Sequence, residues 1–327
     1  MIKAPKFWYQ PPGVASFALS PFSAVWRLVS DRKRARAHPF VVPVPVISIG
    51  NLTVGGTGKT PIVQVVAEYL AARGMRVHIL SRGYGGRLKG PVRVDIKRHS
   101  SDDVGDEPLL LAESAPTWIS RDRALAAQAA VKAGAQILVM DDGHQNLTLA
   151  IDCALVVVDS ATGFGNGYIV PAGPLREPIA QGLARAQGVI VMGSGGAADL
   201  TDFSGLPSAR AHLQPVGVES MAGMRAFAFA GIGRPQKFFD TVEQAGLILA
   251  GTREFPDHHA YHGGEIMKLL IEAEQADAIL ITTQKDWVRL EAPFRPQVSV
   301  LMVKAMFDGA QDLDRLLAPI LTRAGLA

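Results

Sequence analysis

The segment Gly50–Pro61, GNLTVGGTGKTP, directly follows the apolar run Val46–Ile49 and precedes Ile62–Arg73, where apolar residues recur at helical spacing. Few local patterns restrict a fold more. It matches the phosphate-binding pattern G-x-x-x-x-G-K-[ST] at Gly58, Lys59 and Thr60, with Thr53 standing where the first glycine belongs. Gly55, Gly56 and Gly58 let the backbone from Thr53 through Val54 and Thr57 curl so that its N–H groups converge on one anion. The helix that follows points its positive end at the same place. Lys59 is expected to reach the β- and γ-phosphates of a nucleotide and Thr60 to ligate Mg²⁺. Val54 occupies the place of the extra lysine that dimerising partition-type ATPases send across their interface, so a dimer of that kind is not expected.

Further short apolar runs follow at Val77–Leu80, Ile137–Met140, Ala154–Val158, Val189–Met192, Ala226–Ala230, Ile279–Thr282 and Val298–Val303. Between several of them lie segments of helical period, Arg123–Ala133, Phe238–Ala245 and Gly264–Ala276. This alternation predicts an α/β fold, a mostly parallel sheet with helices on both faces. In Gly193–Gly223, Ser, Gly, Ala and Pro accumulate and the periodicity fades. The reading is therefore a catalytic domain over 37–224 and a smaller α/β lobe over 225–327, with a ligand cleft between them. A single cysteine, Cys153, excludes an internal disulfide framework.

The chain's net charge of +3 is unevenly distributed. Lys3, Lys6, Arg27, Arg32, Lys33, Arg34 and Arg36 against Asp31 give residues 1–36 a net charge of +6, which leaves −3 for the remainder. Phe7–Trp26 carries no charge, but only twelve of its twenty residues are apolar and Pro11, Pro12 and Pro21 interrupt it, which makes a poor membrane span. Residues 1–36 read instead as an amphipathic helical segment lying on a membrane surface. Phe17, Leu19, Phe22, Val25, Trp26 and Leu28 supply the apolar face, and the basic run supplies cations for anionic headgroups. No nucleic-acid partner is expected.

A phosphate loop of this type needs an acid for its metal, normally at the end of a neighbouring strand. QILVMDDGHQN supplies Asp141 and Asp142 there, one expected at the metal and one bracing the loop; Asp159, after VVVD, is a second candidate. DDVGDEP packs four carboxylates into Asp102–Glu107, a pattern that serves either as helix N-terminal acids or, through Asp106 and Glu107, as a base and a metal-side acid. FPDHHAYH brings His258 and His259 with a role as partner to a carboxylate, and without cysteine it makes a poor zinc site. GPLREP presents Arg176 for charge stabilisation and Glu177 as a metal-side acid, and LSRGYGGR follows a strand. TQKD, with Lys285 and Asp286, resembles loops that read a nucleotide base. A small-molecule kinase, a membrane-associated NTPase switch or chaperone, and an ATP-dependent ligase all fit these parts.

Taken together and in order, TVGGTGKTP, LSRGYGG, VGDEP, MDDGHQ, GPLREP, FPDHH and TQKD behind a basic amphipathic segment resemble the tetraacyldisaccharide 4′-kinases, the lipid A kinases of Gram-negative bacteria. The resemblance covers residues 5–315. It implies an enzyme that phosphorylates the 4′-hydroxyl of a tetraacylated glucosamine disaccharide 1-phosphate with ATP and Mg²⁺ at the cytoplasmic face of the inner membrane; a monomer is expected. It further implies Asp106 as general base paired with His258, the loop Thr53–Thr60 on ATP, and Arg176 on the phosphates. Glu107, Asp141, Asp142 and Glu177 are then acids near the metal.

Overall fold

The computed structural model describes residues 4–203 and 205–323, so Lys3 and the last four residues lie outside it. The chain enters through helix α1 (Val14–Ala35) and reaches the phosphate loop between strand β1 (Val46–Gly50) and helix α2 (Lys59–Ala72). There follow β2 (Val77–Ser81), β3 (Val92–Arg93), α3 (Ser101–Val104), α4 (Asp106–Ser114), β4 (Thr117–Ile119), α5 (Arg123–Lys132) and β5 (Ile137–Asp141). Then come β6 (Cys153–Asp159), α6 (Ile179–Leu183), β7 (Gly188–Met192) and β8 (Ser208–Val216). A second series runs β9 (Arg225–Ala230), α7 (Pro235–Gln244), β10 (Ile248–Glu254), α8 (Gly263–Gln275), β11 (Ile279–Thr283), α9 (Gln284–Trp287), β12 (Ser299–Phe307) and α10 (Asp312–Arg323).

All twelve strands join one sheet in the order β10-β9-β11-β12-β8-β7-β6-β1-β5-β2-β4-β3. Only the β12–β8 and β3–β4 pairs are antiparallel. The strands around β1 are buried along their whole length, because α2 covers one face and α5 and α6 the other. Ile62, Val63, Val66 and Leu70 of α2 sit at 0% exposure against Ile47, Ile49 and Val139, which holds the loop ahead of the helix rigid.

The stretch with fading periodicity contains β8, a strand of the sheet inside the expected span 37–224. The C-terminal end also returns to the first lobe: β12 pairs with β11 over Ser299–Leu301, then with β8 over Met302–Phe307. Past it, Leu313, Leu316, Leu317, Ile320 and Leu321 of α10 enter the same core as α2. The second lobe therefore ends within β12, and the chain crosses the lobe boundary twice.

The lobes are also joined by charge. Asp159, 3% exposed at the end of β6, pairs with Arg234, and its Oδ2 lies 3.3 Å from Lys237 Nζ. Burial alone would raise this carboxyl, but Arg234 and Lys237 outweigh it and hold it below the ordinary carboxylate range. A carboxyl lowered in the folded state contributes stability that is complete above its unfolded value and is lost as pH falls through the lowered value. Asp159→Asn is accordingly expected to lower unfolding free energy by about 1–2 kcal/mol at neutral pH and by progressively less in acid, read from urea melts at several pH values. Leu316→Ala, on α10, is expected to lower it by about 2–5 kcal/mol, which would show the C-terminal helix as core of the first lobe.

Candidate active site

The loop geometry follows from its glycines. Gly55 and Gly58 have φ of 117° and 81°, and Gly58 is the residue from which α2 starts, so the backbone turns sharply into the helix N-terminus. The GPLREP segment is zipped onto the start of this loop: Val54 N–H donates to Pro174 O at 2.8 Å and Arg176 N–H to Leu52 O at 2.7 Å. That pairing delivers Arg176 to the acids after β5. Its Nη1 donates to Asp142 Oδ1 and Oδ2 at 2.9 and 3.0 Å, while Lys59 Nζ lies 3.7 Å from Asp142 Oδ1. Asp142 has φ 50°, a left-handed conformation that Asp tolerates better than most residues and that turns its carboxylate toward Lys59 and Arg176.

Asp141 faces the other way. It is 3% exposed, accepts from Ser81 Oγ at 3.2 Å, and its backbone carbonyl accepts from the buried Arg123. Burial, with the charges of Glu107 and Asp142 nearby, pushes its carboxyl well above the ordinary range. Lys59 and Arg123 only partly offset this. Crowded acids of this kind are what a divalent cation would neutralise. Among the described residues no group of three His, Cys, Asp or Glu side chains forms a preassembled cage. Mg²⁺ at phosphate loops is usually held by one or two protein oxygens plus substrate phosphates, so the donor set of Thr60 and Asp141 fits it.

The four carboxylates of DDVGDEP divide between two jobs. Asp103 closes a capping box with Ser100 and pairs with Arg87, so it serves α3. Asp106 and Glu107 open α4 after Gly105, whose φ is 89° and where an added Cβ would lie 2.3 Å from Tyr84 O. Only glycine lets the LSRGYGG and VGDEP loops approach this closely. Asp106 is 6% exposed and meets the second lobe: His258 Nδ1 lies 3.1 Å from its Oδ2, and Arg289 binds the same oxygen. Burial would raise the Asp106 carboxyl, yet His258, Arg289 and Lys285 outweigh it and hold it well below the ordinary range. His258 has φ 60° and its ring lies 6.4 Å from that of Tyr84. His259 turns away to Glu265 at 3.0 Å and stacks on Phe255, so it anchors the start of α8.

Two of the expected site acids are tied up by other side chains. Glu177 is 3% exposed, and its carboxylate is held by Arg34, Arg185 and Gln145 at 2.7–2.9 Å. Both oxygens accept from these donors, which bind the end of α1 to the GPLREP loop and give Glu177 a structural role. Asp286 is 0% exposed and accepts from Gly231 N–H, Tyr261 Oη, Thr283 Oγ1 and Arg289, which leaves no edge for a nucleotide base. Lys285, from the same motif, points into the cleft and bonds Glu107 at 2.6 Å. Its ammonium is depressed by burial but raised more by Glu107 and Asp106. The sequence gives no role to Arg289, Gln145, Ser81 or Arg234, names Arg34 only as a surface cation, and offers Asp159 as a metal acid where the structure pairs it with Arg234 and Lys237. Arg289 alone carried a signal, three residues after Asp286 on one helical face.

This fold and loop define a P-loop phosphotransferase whose cleft is closed by a second lobe. The family model for tetraacyldisaccharide-1-P 4′-kinase matches residues 15–322. A tetraacyldisaccharide 4′-kinase from Rhodospirillum centenum is 50% identical over 329 residues, covering 98% of this chain and 97% of that one. A second, from Dinoroseobacter shibae, is 49% identical and covers 93% of each. Among solved structures, LpxK from Aquifex aeolicus in complex with ATP superposes with a TM-score of 0.73 at 25% identity, covering 93% of this chain and 99% of that one. The chain belongs to the tetraacyldisaccharide 4′-kinase family.

The new reading of Glu177 has a direct consequence. Glu177→Gln is expected to lower stability by about 1–3 kcal/mol in thermal or urea melts, because Arg34 and Arg185 lose their shared anion. An unchanged melt would return Glu177 to the list of acids free for other duties.

Proposed function

We propose that this protein transfers the γ-phosphoryl group of ATP to the 4′-hydroxyl of a tetraacylated glucosamine disaccharide 1-phosphate at the cytoplasmic face of the bacterial inner membrane. The observation that carries the reading is the carboxylate–imidazole pair, Asp106 and His258, assembled across the lobe seam beside the phosphate loop. A nucleotide switch needs no such pair, and the burial of Asp286 speaks against the guanine-reading alternative. Both lobes that supply the site belong to one chain, so a monomer suffices.

The backbone of Thr53–Thr60 cradles the phosphates, and Lys59 and Arg176 neutralise their charge; Asp142, between the two cations, keeps them in place before ATP arrives. Mg²⁺ held by Thr60 and Asp141 would supply further neutralisation of the β- and γ-oxygens. Glu107, released from Lys285, is the remaining acid of that edge. Asp106 accepts the proton of the sugar hydroxyl, and His258 fixes its orientation. The depressed basicity of Asp106 is tolerable because a loose phosphoryl-transfer transition state demands little proton removal before bond cleavage.

The lipid acceptor stays in the bilayer, and α1 is built for that boundary. Its inward face is polar: Ser16 and Ser23 are buried, with Ser16 accepting from Asn166 and Ser23 donating to Ile169 O at 2.7 Å. Its outward face carries Phe17, Phe22, Val25 and Trp26, each more than half exposed. Pro21 cannot donate to Phe17 O, and the neighbouring Ser20 hydroxyl does so instead at 2.8 Å, which keeps the helix continuous. No described helix is long and apolar enough to cross a membrane; the contact proposed is at the surface, with the exposed Arg27, Arg32, Lys33 and Arg36 on the headgroups.

The test is to mix the purified protein with labelled ATP and the tetraacyl disaccharide phosphate in detergent; a doubly phosphorylated lipid is expected, and its absence would end the kinase reading. Asp106→Ala should lower kcat by about 10²–10⁴-fold while lipid binding persists, whereas equal losses in both would remove Asp106 from the base role. Phe22→Asp with Val25→Asp should reduce co-sedimentation with anionic vesicles, in a salt-dependent assay, without lowering the melting temperature. Unchanged sedimentation would refute the membrane face.

A further inference from the structure

Arg289 makes the most directed set of contacts in the cleft that the motifs did not reveal. Its side chain is 6% exposed, on the turn after α9. Nη1 donates to Gly231 O at 2.8 Å and to Asp286 Oδ1 at 2.9 Å, and Asp286 is itself held by three other donors. These bonds fix the guanidinium plane from the second lobe. The remaining edge meets the first lobe: Nε donates to Asp106 Oδ2 at 3.1 Å, and Nη2 contacts the same oxygen.

The protons can be placed. An ionised carboxylate only accepts, so the 3.1 Å contact between His258 Nδ1 and Asp106 Oδ2 requires the hydrogen on Nδ1. Nδ1 then has no lone pair for Arg289, and the 3.2 Å approach of Nη2 to it is a close contact of two donors aimed at one acceptor. Oδ2 therefore receives His258 and both N–H groups of the Arg289 edge. Oδ1 receives one bond, from Glu107 N–H at 3.0 Å. Two oxygens that are equivalent in a free carboxylate are here made different.

We propose that Arg289 is a positioning residue that, together with His258, occupies Oδ2 of Asp106 and leaves Oδ1 as the atom that takes the proton from the attacking hydroxyl. The inference rests on the reading of Asp106 as the base. In the step, the sugar O–H bond breaks and its proton goes to Oδ1, the hydroxyl oxygen bonds to the γ-phosphorus, and the bond between that phosphorus and the β–γ bridging oxygen breaks, its electron pair leaving with ADP. Because Arg289 and His258 belong to the second lobe and Asp106 to the first, the carboxylate acquires this orientation only when the lobes meet.

The experiment compares Arg289→Met, Arg289→Lys and Asp106→Asn in the full-length protein, measuring kcat, KM for ATP and lipid, and thermal melting. Arg289→Met is expected to lower kcat by about 10²-fold with both KM values within about threefold, since a misaimed base affects the transition state more than binding. Added guanidinium should restore part of that turnover, a result that loss of structure would not give. Arg289→Lys should fall between, because one ammonium cannot present two fixed donors to a single oxygen. Wild-type kcat in either Arg289 variant, with Asp106→Asn inactive, would overturn the positioning role alone. Full turnover in Asp106→Asn would overturn the base reading and this inference together. A loss confined to lipid KM would also overturn it, by making Arg289 a binding residue. If Arg289→Met does not fold, the Lys variant decides by the same criteria.

Discussion

The structure depends on charges buried at the seam between two lobes. Asp106 could not remain ionised at 6% exposure without His258 and Arg289, and Arg289 could not remain buried without Asp106 and Asp286. Lys285 with Glu107, and Asp159 with Arg234 and Lys237, repeat the same pattern at two further points of the seam. Apart from Arg289 with Asp286, which lies within the second lobe, each pair joins a cation of the second lobe to an acid of the first. The groups that join the lobes at this seam include Asp106 and His258, the pair proposed for the chemistry.

The sheet is continuous across that seam. β12 hydrogen-bonds to β11 with its first residues and to β8 with its last, so the second lobe is attached through a strand and not only through flexible linkers. The strand that joins the lobes is thus itself part of the sheet that carries the site. At the opposite side, Glu177 clamps the end of α1 to the loop that carries Arg176. The surface helix and the phosphate site are thus mechanically connected through two adjacent residues, Arg176 and Glu177.

Much of this was legible from local pattern. The strands β1, β2, β5, β6, β7 and β9 appear as continuous apolar runs because both of their faces are covered, and the helices between them show their period because only one face is. β8 was not legible: its buried residues Ala209 and Ala211 alternate with the half-buried Ser208 and Arg210, its next residues are exposed, and the small residues and prolines around it look like linker. β10 lies at the sheet edge with little burial and so gives no apolar run. Among site residues, Gly58, Lys59 and Thr60 are found by spacing alone. The bond from Glu177 to Arg34 was not legible, because a carboxylate beside an arginine in a rigid loop looks the same whether it faces solvent, a metal or the end of a helix 143 positions earlier.

The sequence by itself determined the phosphate loop, the α/β alternation, the basic amphipathic segment and the family, since each is written in neighbouring residues or in the order of motifs. Tertiary structure alone decided which acids are committed and which are free. Asp102–Glu107 reads as one cluster, yet Asp103 caps a helix while Asp106 meets a lobe 152 residues away. Asp286 reads as a ligand-facing loop acid, yet burial and four donors make it the anchor of Arg289. The physical reason is that a carboxylate's role is set by what surrounds it in space, by desolvation and by the nearest cations, and those neighbours come from distant parts of the chain.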